Sequence, residues 1–171
     1  MTQQTKGRAW CFGDNIDTDL LAPGPYMKSS LAELASHCLE AIRPEFAGEI
    51  TTGDVVIGGT GFGIGSSREQ AAQALVELGV SAVIARSFAR IFYRNALNLG
   101  LPVLVCEQAG EIADGDSISV DAEQGLVTNH TQGTSYQCEP IPVELMVIVN
   151  AGGLMPYLKQ KFSAENGANT E

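Results

Sequence analysis

The sequence predicts a single α/β domain in which parallel and antiparallel strands share a mixed sheet. From Asp54 to Cys106 the hydrophobic pattern runs strand, helix, strand, helix, strand, an order that implies right-handed parallel crossovers. Three shorter strand patterns follow, with turn residues between them, and these predict an antiparallel meander. With 171 residues, 44% of them hydrophobic, the chain is long enough to bury one core.

The chain begins with a predicted strand, RAWCFG at residues 8–13. The acidic segment DNIDTD at 14–19 lacks the turn glycine and the closing glutamate of a calcium loop. It is therefore either a turn whose aspartates bind nearby backbone or a functional segment. After a loop rich in Pro and Gly, Ser30 and Glu33 form a predicted capping box for a helix that ends before Pro44. The apolar face of this helix comprises Leu31, Leu34, Ala35, Cys38, Leu39 and Ile42.

Two helices alternate with the three central strands, after a short linker, EFAGEITTG. The first helix is predicted at 67–78 and ends at Gly79. The second helix has Ser87 as its predicted cap and ends at Gly100. The strands of this part are predicted at 54–59, 81–86 and 102–106.

Beyond the parallel part, the meander leads into a helical C-terminal region. Its strands are predicted at 117–121, 126–130 and 134–141. The segment PVELMVIVNAGGLMPYLKQKF is predicted to be helical in two pieces, broken at Gly152 and Gly153. The polar residues 163–171 are predicted to form a disordered tail, so the domain is expected to span residues 1–162.

Composition excludes several functional classes. Ten basic residues against twenty acidic ones give a net charge of −10, which argues against binding to nucleic acid or to an anionic membrane. The N-terminus lacks the apolar core of a signal peptide, and no apolar run reaches the length of a membrane span. A soluble, cytoplasmic protein is expected.

The four cysteines are far apart in the sequence. No pair has the close spacing of a zinc or iron–sulfur site, so we expect no metal and no cluster to be bound by this chain. Scattered cysteines in apolar segments are typical of small buried hydrophobic residues, and a cytoplasmic location disfavours disulfides. The four are Cys11, Cys38, Cys106 and Cys138.

The segment GGTGFGIGSSREQ at residues 58–70 is the candidate functional site. Alternate glycines allow tight turns and close approach of the backbone to another molecule. They lead to Ser66, Ser67 and Arg68 at a predicted helix N-terminus, where unpaired amides and the helix dipole favour an anion. The segment therefore predicts a binding site for a carboxylate or a phosphate.

Other interpretations of this segment fit less well. It has no lysine of a P-loop and no third glycine or ribose-binding acid of a dinucleotide site. Its serines are not in a nucleophile elbow. A structural alternative is that Ser66 with Glu69, or Ser67 with Gln70, forms a capping box. A cap would not explain the alternate glycines.

Several motifs together resemble one known family. GSSREQA, SFARIFYRNALNLGLPVL, DNIDTD and GPYM are similar, in order and spacing, to the small subunit of 3-isopropylmalate dehydratase, in its archaeal-type short form. The resemblance implies the swivelling β/β/α domain of the aconitase C-terminal type. It also implies reversible dehydration of a hydroxy dicarboxylate, as in leucine biosynthesis, within a heterodimer or heterotetramer. A large partner subunit would carry the [4Fe-4S] cluster that acts on the departing hydroxyl.

The same resemblance assigns residue roles. Ser66 would remove the proton from the carbon beside a carboxylate, and Arg68 would anchor that carboxylate. Ser67 and the amide of Gly65 would add contacts to the substrate. Asp19, at the end of DNIDTD, would orient the catalytic network.

The loop that sets substrate choice departs from one branch of the family. Relatives that accept longer carboxylate-bearing substrates have Tyr-Leu-Arg-Thr, whereas this chain has Tyr26, Met27 and Lys28. Lysine keeps the charge without the forked geometry, and methionine offers apolar contact. An alkyl-bearing substrate is therefore favoured over homocitrate. Gly61 and Ile64 also replace the usual Asn and Cys.

Two alternatives remain open at the level of sequence. One is the small subunit of a related dehydratase, of the methylmalate/citraconate, dimethylmalate or homoaconitate type. The other is a stand-alone module that binds anions without a partner.

Overall fold

The computed structural model describes residues 6–168, and seven strands within that range form one sheet. In chain order the strands are β1 (Gly7–Cys11), β2 (Val55–Ile57), β3 (Ala82–Ala85), β4 (Val103–Val105), β5 (Ser117–Asp121), β6 (Leu126–Asn129) and β7 (Thr134–Gln137). Their order across the sheet is β4-β3-β2-β1-β5-β6-β7. β1 to β4 pair in parallel, while β5 pairs antiparallel with β1 and the last three strands form an antiparallel meander. The predicted mixed α/β sheet is confirmed.

Helices cover this sheet and connect its parallel strands. They are α1 (Thr18–Leu21), α2 (Leu31–Ser36), α3 (Phe46–Glu49), α4 (Glu69–Glu77), α5 (Arg90–Asn98), α6 (Val143–Asn150) and α7 (Leu154–Ala168). Strands β2 and β3 are buried along their whole length, which explains their continuous apolar sequence. The break between α6 and α7 falls at Gly152 and Gly153, both with positive φ, as predicted. Every helix within residues 6–168 is too short or too polar to span a bilayer.

The parallel arrangement determines where the candidate site lies. Strands β1, β2 and β3 are parallel neighbours, so the segments that follow them meet at one edge of the sheet. These segments are 12–18, 58–68 and 86–89. Ligands of open α/β sheets bind at this edge, outside the carboxyl ends of the strands.

Three helix predictions differ from the structure. Helix α2 ends at Ser36, because Leu39 turns away with φ +61 and its N–H donates to the carbonyl of Leu20; the predicted inward residue Ile42 is instead 49% exposed. Ser87 does not cap α5, because its hydroxyl accepts a hydrogen bond from the N–H of Gly61. The predicted linker contains α3, whose Phe46 is fully buried.

The predicted disordered tail also differs in part. Residues 163–168 continue α7, which begins at Leu154. No proline or glycine interrupts the segment before Gly167, and Ala164 and Glu165 favour helix. Residues 169–171 lie outside the described part of the chain, and the domain division at residue 162 stays a prediction.

Trp10, in strand β1, lies at the centre of a buried polar and aromatic cluster. Its ring packs edge-on against Phe46, with the centroids 5.3 Å apart, and its Nε1–H donates to Asp54 at 3.0 Å. Asp54 also accepts from the N–H of Arg8 and from the N–H and hydroxyl of Thr51. Burial raises the pKa of Asp54, but these hydrogen bonds outweigh it and leave the pKa below its ordinary value.

The two outermost strands of the sheet are joined beyond β7. The N–H of Glu139 donates to the carbonyl of Val105 in β4 at 2.9 Å. Beside this bond lie Cys106 and Cys138, both buried. Interaction with the Cys138 thiol lowers the pKa of Cys106, and interaction with Cys106 together with burial raises the pKa of Cys138. Cys38 is also buried and Cys11 is partly buried. All four cysteines are free thiols, and their burial agrees with the expected role in packing.

The Asp54 cluster gives a prediction about stability. Asp54→Asn removes the charge and turns an amide donor towards groups that already donate, so we expect a loss of about 2 kcal/mol in unfolding free energy at pH 7. The folded-state pKa of Asp54 is below its unfolded value, so its contribution is present above about pH 4 and is lost as the pH falls further. Urea unfolding at pH 7 and pH 3 measures both effects.

The control for this prediction is Glu77→Gln, which removes an exposed carboxylate at the end of α4. We expect this variant to follow the wild-type pH dependence, and Asp54→Asn to lose less stability than wild type between the two pH values. Equal acid losses in wild type and Asp54→Asn would contradict the role given to this carboxylate.

Candidate functional site

The loop between β2 and α4 is fixed by backbone hydrogen bonds on both sides. On one side it pairs with residues 13–18, through Gly63 N–H to the carbonyl of Ile16 at 2.7 Å and Thr18 N–H to the carbonyl of Ile64 at 2.8 Å. On the other side the N–H of Ala89 donates to the carbonyl of Phe62 at 2.9 Å. The loop is therefore held between DNIDTD and the start of α5.

This close packing requires the alternate glycines. Gly63 and Gly65 have φ values of +85° and +111°, a region that favours glycine. A Cβ on Gly63 would collide with Phe92, and one on Gly65 would lie 2.9 Å from Thr18 Oγ1. Glycine is therefore required at these two positions by contacts within the protein, and both glycines also line the cavity described below.

The two serines after the glycines do not cap the helix. Helix α4 begins at Glu69 with Arg68 as its N-cap, and no side chain caps this end. The predicted capping boxes of Ser66 with Glu69 and Ser67 with Gln70 are therefore wrong. Both serines are exposed, which leaves their hydroxyls available to a ligand.

Ser66, Ser67 and Arg68 line one cavity of about 190 Å³. One wall is the loop between β2 and α4, called the glycine loop below, and the other is the first two turns of α5. The lining residues are Thr18, Gly63, Gly65, Ser66, Ser67, Arg68, Ala89, Arg90, Ile91, Phe92 and Asn95. The cavity is thus bounded by the N-termini of α4 and α5, neither of which has a side-chain cap.

Thr18 is a residue of this cavity that sequence reasoning missed. Its side chain is buried, and Thr18 Oγ1 lies 3.4 Å from Ser66 Oγ, a long contact in which either hydroxyl could donate. Its position inside DNIDTD could have indicated a functional role, but the aspartates of that motif were the more obvious candidates. One of these, Asp17, caps α1 by accepting from the N–H of Leu20 at 2.8 Å.

Asp19 is brought to the site through Arg68. Arg68 Nη1 forms an ion pair with Asp19 Oδ1 and donates to the carbonyl of Ala22 at 3.0 Å. Within residues 6–168, the Nε and Nη2 atoms of Arg68 have no hydrogen-bond partner. One side of the guanidinium is therefore held by the protein, and the other side can receive a carboxylate.

The predicted specificity residues Tyr26, Met27 and Lys28 do not line this cavity. They follow Ala22 in the chain, and Tyr26 lies in a short 3₁₀ turn. The ring of Tyr26 stacks on His37 at a centroid distance of 3.6 Å, and His37 binds Glu40 at 2.6 Å. This stacking gives His37 a structural role.

Within the described residues, no three His, Cys, Asp or Glu side chains are grouped as metal ligands. The site therefore offers hydroxyls, amides and guanidinium groups, which suit an anionic organic ligand.

Known proteins share both the sequence and the fold. Residues 49–109 match the aconitase C-terminal domain. The chain is 50% identical over 156 residues to the methanogen homoaconitase small subunit of Methanothermobacter thermautotrophicus, with 90% of this chain and 91% of that relative covered. It is also 50% identical over 154 residues to 3-isopropylmalate dehydratase small subunit 1 of Archaeoglobus fulgidus, with 90% and 96% covered.

A solved structure extends the similarity to the whole fold. The 3-isopropylmalate dehydratase structure from Methanocaldococcus jannaschii matches with a TM-score of 0.91 and 42% identity, covering 96% of this chain and 98% of that one. The similarity thus includes the glycine loop, α5 and the meander. This chain belongs to the family of 3-isopropylmalate dehydratase small subunits of the aconitase type, which also includes the methanogen homoaconitase small subunit.

Proposed function

We propose that this chain is the small subunit of a cytoplasmic hydro-lyase that reversibly dehydrates a hydroxy dicarboxylic acid of the 3-isopropylmalate type. The main observation is that two exposed serine hydroxyls and one arginine lie in a single cavity at an uncapped helix N-terminus. The relatives named as 3-isopropylmalate dehydratase small subunits support the reaction type.

Ser66 is the proposed base. It takes the proton from the carbon next to a carboxylate, while the hydroxyl leaves from the neighbouring carbon. A serine alkoxide is a very strong base, so it needs donors and positive charge around it. Thr18 can donate its hydroxyl to Ser66 Oγ, and the amides at the start of α4 and the Arg68 guanidinium add positive potential.

Arg68 is the proposed carboxylate anchor. Asp19 and the carbonyl of Ala22 hold its Nη1, so the orientation of the guanidinium is fixed before substrate arrives. Its remaining N–H groups can then bind the carboxylate next to the reacting carbon, and Ser67 and the Gly65 amide can add contacts. Asp19 acts here as a positioning residue for Arg68.

A large partner subunit is proposed to complete the site, as a heterodimer or heterotetramer. When bound on that partner, a [4Fe-4S] cluster supplies a Lewis acid for the departing hydroxyl. This chain contributes the residues that bind and orient the diacid and move one proton.

The homoaconitate type is the second candidate substrate class. It is supported by the relative from Methanothermobacter thermautotrophicus, which is as similar to this chain as the isopropylmalate relative is. Lys28 in place of the arginine of the longer-substrate relatives favours the alkyl-bearing acid. Turnover of 3-isopropylmalate and homocitrate by the assembled enzyme decides between the two.

Removing the proposed base gives the first activity prediction. Ser66→Ala, assembled with the cluster-bearing large subunit, should lower kcat by roughly 10²–10⁴-fold, the usual contribution of a general base. The ultraviolet absorbance of the unsaturated diacid measures the rate. Ser135→Ala, at an exposed position of β7, is the matched control and should keep wild-type activity.

Unchanged turnover by Ser66→Ala would exclude this serine as the base. Titration calorimetry of the isolated chain with the diacid addresses the stand-alone alternative. Tight binding without the large subunit, together with no turnover after assembly, would favour an anion-binding module.

Arg68→Lys tests the anchor. Lysine keeps the charge but lacks the forked pair of donors, and Asp19 can no longer orient a planar guanidinium. We therefore expect KM for the diacid to rise by about tenfold or more. The initial rates of the assembled enzyme over a range of diacid concentrations measure this change. A KM equal to that of wild type would show that the fork of Arg68 does not bind the carboxylate.

A further inference from the structure

A second arginine faces the same cavity from the opposite element. Arg90, the first residue of α5, lines the cavity together with Ser66 and Arg68. No Asp or Glu side chain lines this cavity. Two guanidinium groups therefore border one small space, and that of Arg68 is already paired with Asp19 from outside the cavity lining.

The charge of Arg90 is not neutralised by the protein. Within residues 6–168, its guanidinium has no hydrogen-bond acceptor and no carboxylate within ion-pair distance. Arg43, in contrast, binds Asp114 with two hydrogen bonds of 2.7 and 2.8 Å. An arginine without a carboxylate partner at the N-terminus of α5 also meets the positive end of the helix dipole, so an anion bound beside Arg90 would be stabilising.

The proposed substrate supplies more negative charge than Arg68 alone can bind. A hydroxy diacid has two carboxylates, and part of the Arg68 guanidinium is already held by Asp19 and Ala22. We propose that Arg90 binds the second carboxylate of the diacid while Arg68 binds the first. This inference rests on the proposed function and assigns the selection of diacids over monoacids to a named side chain.

Arg94 provides a matched control on the same helix. It lies one turn beyond Arg90 and is also exposed. Both arginines border a second depression beside Tyr93, but only Arg90 also lines the cavity. Arg90→Gln and Arg94→Gln therefore remove the same charge from the same helix, and only the first removes it from the cavity. Both positions are exposed, and thermal unfolding verifies that the variants fold.

The experiment uses the enzyme assembled with its large subunit. We expect Arg90→Gln to raise KM for 3-isopropylmalate by tenfold or more with kcat within twofold of wild type. Arg94→Gln should change both by less than twofold, and Arg90→Lys should recover part of the lost affinity. A rise in KM without a loss of kcat separates carboxylate binding from an effect on proton transfer.

Calorimetry with the two monoamides of 3-isopropylmalate tests the pairing directly. Arg90→Gln should weaken the binding of the diacid. It should leave the affinity for one monoamide at the wild-type value, because that monoamide lacks the carboxylate that Arg90 binds. The proposal is overturned if Arg90→Gln weakens the binding of both monoamides as much as that of the diacid. It is also overturned if Arg90→Gln and Arg94→Gln have the same KM and the same affinity for the diacid. Failure of Arg90→Gln to assemble with the large subunit overturns it too, since Arg90 would then be a subunit contact.

Failure of the proposed function gives a different result. In that case the assembled wild-type enzyme shows no turnover of the diacids. Binding that still distinguishes the diacid from one monoamide, and loses the distinction in Arg90→Gln, would support Arg90 even then. If the wild-type assembly neither turns over nor binds the diacid, both proposals are overturned.

Discussion

The constraint on which this structure depends is the backbone contact between the glycine loop and its two neighbours. Residues 59–64 are hydrogen-bonded to 13–18 on one side and to 87–89 on the other. Side chains at Gly63 and Gly65 would separate these segments. Because the three segments follow parallel strands, their contact gathers Thr18, the two serines and the start of α5 at one edge of the sheet. The cavity therefore depends on the backbone hydrogen bonds between these three segments.

Much of the fold was predictable because local pattern and tertiary structure agree. The alternation from Val55 to Val105 and the turns of the meander depend on periods that a sequence displays directly. The errors arose where a distant partner decided the outcome. Ser87 was predicted to cap a helix, but its hydroxyl accepts a hydrogen bond from the N–H of Gly61. Leu39 was predicted to lie in a helix, but its N–H donates to the carbonyl of Leu20.

The site shows the same division between local and distant effects. The serines and Arg68 were predicted from a helix start that follows a glycine loop, but the loop's glycines serve internal packing, which no local pattern reveals. Thr18 and Arg90 were not predicted, since each is brought to the cavity by a different segment of chain. Thr and Arg are common residue types, and only the shared location of these two residues at the cavity indicates a functional role.

The junction at Val105 and Glu139 has a further consequence for the molecule in a crowded cell. Strands at the margin of a sheet have unsatisfied backbone groups, which can recruit strands from other chains and start aggregation. Here the chain that leaves β7 returns to β4 and occupies part of that margin. This contact therefore leaves less of the sheet margin available to unintended strand partners.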